Sequence, residues 1–115
     1  MFAFLMGLRS ASTADVLRWV QSRSAWVIDV NSARSWNRAH VPSALNLDSS
    51  SFSDKDLPDD KRSRLVFYCS NPMCRKAPNA ARRAKNMGYD DVWVMSAGIS
   101  GWQSAGLPVE SSEHP

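Results

Sequence analysis

The sequence is poor in cysteine and histidine, with two residues of each among 115. Small secreted domains that depend on disulfides use several cysteine pairs, so two thiols five residues apart do not form such a framework. We therefore expect a reducing compartment and a cytoplasmic location. A zinc site would need Cys69, Cys74, His40 and His114 together, and their spacing does not match the usual zinc motifs. We expect no metal site.

Long runs of apolar residues, or of one charge, are also missing. The segment from Met1 to Leu8 is apolar, but it is too short to span a membrane and lacks the charged start of a signal peptide. We expect it to pack on the core as part of an N-terminal extension over residues 1–11. The net charge is +3 and the basic residues are dispersed, whereas nucleic-acid binding usually needs a concentrated basic face. Neither a membrane nor a nucleic acid is expected as a partner.

What the sequence does contain is an ordinary globular composition at the length of one domain, with 43% hydrophobic and 22% charged residues. Short apolar runs alternate with segments that have helical spacing or helix caps. The predicted strands cover residues 26–28, 44–47, 65–68 and 91–95, and the predicted helices cover residues 13–23, 32–38 and 78–87, with a last one opening at 97. This alternation favours a single α/β domain over residues 1–115, with a parallel sheet covered on both faces and a tail at residues 110–115.

Cys69 follows the apolar run Leu65–Tyr68 and precedes a loop that leads into a predicted helix. In parallel sheets, ligand sites lie beyond the carboxyl ends of the strands. A loop that enters a helix N-terminus there presents backbone N–H groups and the positive end of the helix dipole. Together with Arg75 and Lys76, this setting would lower the pKa of the Cys69 thiol below about 8.5 and favour the nucleophilic thiolate. The alternative is an inert cysteine buried as a small apolar residue.

Three further stretches of the sequence, taken in order, carry a family pattern. They run from Trp26 to Asn46, with His-Val-Pro-Ser-Ala-Leu-Asn near its end; from Phe67 to Tyr89; and from Ala97 to Val109, which ends in Gly-Leu-Pro-Val. Together they resemble the rhodanese family over the chain from about Ser12 to Val109. Asn31 and Ser43 depart from that pattern, because the family often has arginine and glycine there, and we expect these changes to alter packing only.

The resemblance implies a rhodanese-like parallel sheet of about five strands, flanked by helices on both faces. It also implies a sulfurtransferase in which Cys69 takes a sulfane sulfur from a donor such as thiosulfate, becomes a persulfide, and passes the sulfur to cyanide or a thiol. A sulfur-accepting protein is a further partner to consider. No organic cofactor is required. The expected cradle for the transferred sulfur consists of loop residues, mainly through their backbone N–H groups: Ser70, Asn71, Met73, Cys74, Arg75 and Lys76.

The loop also permits other interpretations, because its Cys-x5-Arg spacing is the signature of cysteine phosphatases and occurs in related arsenate reductases. A ring of N–H groups with a bidentate arginine suits a tetrahedral oxyanion. Tyr68 stands where such loops usually have histidine, and Pro72 removes one N–H group, which argues against that reading. A non-catalytic rhodanese-like binding module is a third alternative, although such modules usually lack the cysteine.

Three other residues are singled out by position. Cys74 is either a loop cysteine without a role or a resolving thiol that attacks a Cys69 persulfide or sulfenate to give an internal disulfide. Asp29 ends a strand on the functional side, and we expect it to support the site by capping or pairing rather than to act as a catalytic acid. His40 is expected to hold a turn by hydrogen bonding.

Overall fold

The computed structural model describes residues 7–112, and within them strands and helices alternate along the chain. The strands are β1 (Arg9–Ser10), β2 (Trp26–Asp29), β3 (Leu45–Asn46), β4 (Leu65–Tyr68) and β5 (Val92–Val94). The α-helices are α1 (Thr13–Gln21), α2 (Ala33–Arg38), α3 (Lys76–Asn86) and α4 (Gly98–Ser104), and a short 3-10 helix covers Asp54–Asp56. None of the helices within residues 7–112 has the length and apolar character needed to cross a membrane.

The five strands form one parallel sheet in the order β1-β5-β4-β2-β3. This confirms the predicted α/β architecture and the number of strands. β4 is the central strand, and its register places Tyr68 beside Asp29 of β2. The carboxyl end of β4 therefore opens at the middle of the sheet edge, where Cys69 follows.

Side chains of β4 alternate between two apolar clusters, one on each face of the sheet. Leu65 and Phe67 belong to a cluster with the four alanines of α3, whereas Val66 and Tyr68 pack with residues of α1 and α4. Helices thus cover both faces, as predicted, because a parallel strand buried on both sides needs two apolar layers. Cys69 continues the alternation and lies in the cluster on the α3 face.

The start of helix α3 differs from its predicted position for a local reason. Helix α3 begins at Lys76, two residues before the predicted start, and so contains Pro78 in its first turn. Proline is tolerated there because the N–H groups of a first turn have no intrahelical acceptor. The connection at residues 48–63 is largely polar, yet its apolar residues Phe52 and Leu57 are buried in the cluster on the α3 face of the sheet.

The two ends of the chain are more closely integrated than expected. Residues Arg9–Ser10, assigned to an N-terminal extension, form the edge strand β1 beside β5, and Leu8 is buried. The rest of the apolar segment that we expected to pack on the core, residues 1–6, lies outside the described residues. In the predicted tail, Glu110 exchanges two backbone hydrogen bonds with His40, at 2.9 Å each. The described part of the tail therefore packs against the α2 region.

Candidate active site

Cys69 is the first residue after the central strand, and only 3% of its surface is exposed. The loop of residues 70–75 leads from it to α3 and brings Cys74 back, so that the two sulfurs form a disulfide with a Cα–Cα distance of 6.4 Å. Cys74 is half-buried and packs against the same apolar cluster as Cys69. The two sulfurs are therefore within bonding reach of each other in the folded chain.

Helix α4 holds the first two residues of this loop from one side. The N–H of Ile99 donates to the carbonyl of Cys69, and the N–H of Ser100 donates to the carbonyl of Ser70, at 2.9 Å each. In a trans peptide the N–H points opposite to the C=O. The N–H groups of Ser70 and Asn71 therefore point away from α4, toward the other side of the loop.

Gly98 makes this close approach possible. A Cβ atom at Gly98 would lie 2.6 Å from the carbonyl carbon of Ser70 and 2.7 Å from the nitrogen of Asn71. The residue also has a φ of +66°, which side chains other than glycine rarely adopt. The position of the loop after Cys69 thus depends on the missing side chain of Gly98.

Asn71 organises the rest of the loop. Its side-chain oxygen accepts the N–H of Met73 at 2.9 Å, and its carbonyl accepts the N–H of Cys74 at 3.1 Å. Two of the N–H groups predicted to cradle the transferred sulfur are therefore committed inside the loop, and Pro72 has none. In this disulfide form the predicted cradle is incomplete.

Asn31 is a site residue that the sequence interpretation did not identify. The hydroxyl of Ser70 donates to the side-chain oxygen of Asn31 at 2.8 Å, while the carbonyl of Asn31 accepts from the side chain of Asn46 at 2.9 Å. We expected the departure from arginine at this position to affect packing only. The structure instead places Asn31 against Ser70, the residue that follows Cys69. The replacement of the family's usual arginine by Asn31 was the one sign in the sequence that could have identified this residue.

Asp29 and Tyr68 form a buried network on the opposite face of the sheet from Cys69. The carboxylate of Asp29 accepts the Tyr68 hydroxyl and the N–H of Asn31, at 2.7 Å each, and the Tyr68 oxygen accepts the N–H of Val41 at 3.0 Å. Burial raises the pKa of both Asp29 and Tyr68, although these hydrogen bonds oppose the shift for Asp29. Because neighbouring side chains of a strand point to opposite faces, Asp29 supports the strand end without facing the Cys69 sulfur.

His40 is engaged in contacts of its own. Its Nδ1–H donates to the carbonyl of Trp36 at 2.6 Å, and its ring stacks on that of Trp36 with centroids 4.0 Å apart. Its Nε2 lies 3.7 Å from the carboxylate of Glu110. These contacts agree with the expected role in holding a turn.

Positive charge collects where the loop enters α3. Arg75 takes the N-cap position and Lys76 the first helical position, and both are exposed. Lys76 also lines a polar cleft of about 500 Å³ beside the loop, together with Asn31 and Asp48. The cavity against Cys69 itself is far smaller, about 10 Å³, which is roughly the space that one water molecule needs. Across residues 7–112 no three His, Cys, Asp or Glu side chains are placed to hold a metal ion.

The fold and the site together define a class: a parallel α/β domain with a buried cysteine in the loop between its central strand and a helix. The chain belongs to the rhodanese-like domain family, whose sequence profile matches residues 12–105. This confirms the family expected from the sequence.

Individual relatives agree with this membership. The chain is 24% identical over 101 residues to the thiosulfate sulfurtransferase GlpE of Shewanella oneidensis, covering 88% of this chain and 98% of that one. It is 30% identical over 99 residues to the HTH-type transcriptional regulator Rv0324 of Mycobacterium tuberculosis, covering 84% of this chain but 42% of the regulator. The crystal structure of a thiosulfate sulfurtransferase from Pseudomonas aeruginosa superposes with a TM-score of 0.83 at 17% identity, over 96% of this chain and 22% of that one, and so shares the fold.

Proposed function

We propose that this protein is a sulfurtransferase that carries a sulfane sulfur on Cys69, from a donor such as thiosulfate to a thiophilic acceptor such as cyanide or a thiol. The observation that carries the proposal is the position of Cys69 at the carboxyl end of the central strand, in a loop that enters α3 beside Arg75 and Lys76. The similarity to the GlpE thiosulfate sulfurtransferase of Shewanella oneidensis over 98% of that protein supports it.

The reaction begins from the reduced form, in which Cys69 is a thiolate. The thiolate attacks the outer sulfur of thiosulfate, the sulfur–sulfur bond of the donor breaks, and sulfite leaves with the electron pair. The positive end of α3, with Arg75 and Lys76, favours both the thiolate and the approach of the dianion. The acceptor then attacks the outer sulfur of the persulfide and restores the thiolate.

The loop supplies the remaining stabilisation. Helix α4 binds the carbonyls of Cys69 and Ser70, so the N–H groups of Ser70 and Asn71 point to the other side of the loop. We place the negative charge that develops on the transferred sulfur on that side. The N–H groups of Met73 and Cys74 are bonded within the turn at Asn71, so the stabilisation that we propose rests on the N–H groups of Ser70 and Asn71. The cradle roles predicted for Met73, Cys74, Arg75 and Lys76 stay predictions.

A thiolate cycle of this kind is sustained where the surroundings keep both cysteines reduced. We accordingly propose a cytoplasmic location, with small sulfur donors and thiol acceptors, or a sulfur-accepting protein, as partners.

The test is to reduce the protein, remove the reductant without oxygen, add thiosulfate, and measure the intact mass together with released sulfite. We expect stoichiometric sulfite from the wild type and none from Cys69→Ser. A persulfide trapped by rapid acid quench should add the mass of one sulfur atom, and cyanide should convert that sulfur to thiocyanate. Absence of sulfite and of any mass gain would refute the proposal. Hydrolysis of an aryl phosphate by the same sample would instead favour the Cys-x5-Arg phosphatase. If the protein neither loads sulfur nor hydrolyses the aryl phosphate, the non-catalytic binding module is favoured.

A further inference from the structure

Cys74 is a second sulfur placed against the reacting one, and sulfur transfer to an external acceptor makes no use of it. We propose that Cys74 is the resolving thiol of the cycle. It displaces the transferred sulfur as hydrosulfide and forms the Cys69–Cys74 disulfide, which an external dithiol then reduces. The inference rests on the proposed function, because it takes the Cys69 persulfide as its starting point.

The turn that returns Cys74 to Cys69 is favoured by the loop sequence itself. The N–H of Cys74 donates to the carbonyl of Asn71, which closes a β-turn with Pro72 at its second position. Asparagine is favoured at the first position of such a turn and proline at the second. The Asn71 side chain adds the bond to Met73. Local hydrogen bonds thus hold Cys74 near Cys69 without help from the sulfur–sulfur bond.

Burial gives the internal thiol an advantage over one in solution. Cys69 is 3% exposed, and the cavity at the two sulfurs is about 10 Å³. The buried inner sulfur of a persulfide is screened from an external thiol, which is limited to the outer sulfur, whereas the Cys74 sulfur lies within bonding reach of the inner one. Reactions between groups held together in this way gain a large effective concentration.

The chemistry balances. The Cys74 thiolate attacks Sγ of the Cys69 persulfide, a new Sγ–Sγ bond forms, the bond to the outer sulfur breaks, and hydrosulfide leaves with the electron pair. The outer sulfur is reduced to sulfide while the two cysteines are oxidised. A dithiol then donates two electrons and two protons and is itself oxidised to a disulfide. Over a full cycle, thiosulfate and one dithiol give sulfite, hydrogen sulfide and one disulfide.

The disulfide also makes the cycle dependent on that reductant. In the oxidised form Cys69 has no thiolate, so a new sulfur cannot load until the dithiol has acted. In the proposed cycle, the disulfide form is the product of one turnover.

The experiment is a single turnover without any acceptor. Reduced protein, freed of reductant under anaerobic conditions, receives one equivalent of thiosulfate, and sulfite, sulfide and protein mass are followed. We expect the wild type to release sulfite and then sulfide in nearly equal amounts, and to end two hydrogens lighter than the reduced protein. Both cysteines lie in one tryptic peptide, residues 65–75, so the same mass loss in that peptide shows an intramolecular bond.

Cys74→Ser is the decisive variant. It should release sulfite as the wild type does, retain the extra sulfur on Cys69, and form sulfide more slowly by about 10-fold or more. Its matched control combines Cys74→Ser with Ser24→Cys, which restores the number of thiols. Position 24 is exposed and precedes β2, so the new thiol lies at the amino ends of the strands, opposite the end that carries Cys69. The control should behave like Cys74→Ser.

The outcomes separate the two proposals. If the wild type releases sulfite but keeps its persulfide, or if Cys74→Ser forms sulfide as fast as the wild type, the resolving role of Cys74 is refuted. The proposed sulfurtransferase activity then still stands. Fast sulfide release by the control carrying Ser24→Cys would refute the resolving role as well, because position would then not matter. If the wild type releases no sulfite, the proposed function fails and the inference fails with it.

Discussion

Replacing Gly98 with alanine should disable the site from a helix that carries none of the reacting groups. The new Cβ would lie 2.6 Å from the carbonyl carbon of Ser70, whereas ordinary contacts begin near 3.4 Å. The loop after Cys69 must therefore move by about 0.8 Å, or α4 must move away and weaken its two hydrogen bonds to the loop. A misplacement of about 1 Å at a reacting centre can cost about 100-fold in rate.

The expected loss of stability has two parts. A side chain at a φ of +66° costs about 1–2 kcal/mol, and forcing extra volume into a packed contact costs about 1–3 kcal/mol more. We therefore expect Gly98→Ala to lower the free energy of unfolding by about 2–5 kcal/mol. Urea denaturation under reducing conditions measures this quantity, and the rate of sulfite release from thiosulfate measures sulfur loading.

Gly106 supplies the matched control, because its φ is +72° and a Cβ there would meet nothing within 4 Å. Gly106→Ala should carry the backbone cost of about 1–2 kcal/mol alone and load sulfur at the wild-type rate. If the two variants lose equal stability, or if Gly98→Ala loads as fast as Gly106→Ala, the loop position does not depend on Gly98 and the reasoning is wrong.

Three further predictions test the support of the site. Tyr68→Phe removes a bond to a buried carboxylate and leaves a buried N–H without its acceptor, so we expect a loss of about 3 kcal/mol in unfolding free energy. Tyr89→Phe removes one bond to a carbonyl and should lose about 1 kcal/mol, and equal losses would contradict this account. Because burial raises the pKa of Asp29, the folded protein binds that proton more tightly than the unfolded chain. The wild type should therefore lose stability relative to Asp29→Asn as the pH rises above 3.8 through the folded pKa. Denaturation of both proteins at about pH 4 and about pH 7 measures the difference, and a relative gain with pH would refute it. Asn31→Ala and Ser70→Ala should each slow sulfur loading by about 10-fold, with no further loss in the double variant; additive losses would show that their hydrogen bond is not the cause.

The central elements of the fold were predictable because their signals are local. The run Leu65–Tyr68 is apolar throughout, follows Arg64, and has the length of a strand, and the structure places β4 on those four residues. Helix α1 was recognisable from Ser12 and Asp15, which form a capping box in the structure. β1 was missed because Arg9–Ser10 is two exposed polar residues long, and only the neighbouring strand β5 makes it a strand.

The site divides in the same way. The position of Cys69 could be predicted from the strand, the loop and the helix that follow one another in sequence. The internal disulfide considered for Cys74 agrees with the sulfur–sulfur bond in the structure, and its chemical role stays a prediction. The contact between Asn31 and Ser70 joins residues 39 positions apart, and the approach of Gly98 to the loop joins two separate elements. Sequence spacing carries no information about contacts that the fold alone creates.

The alternation of β4 across the sheet has a consequence for how such a protein can change over evolutionary time. Tyr68 and Cys69 are neighbours in the chain, yet one belongs to a buried network beneath α1 and α4 and the other faces α3. Substitutions that retune reactivity, in the loop or at the start of α3, leave the Tyr68 network intact. Substitutions among the apolar residues around Tyr68, other than at Gly98 and Asn31, can adjust thermal tolerance without contacting the sulfur. One strand thus separates two properties that many active sites must trade against each other.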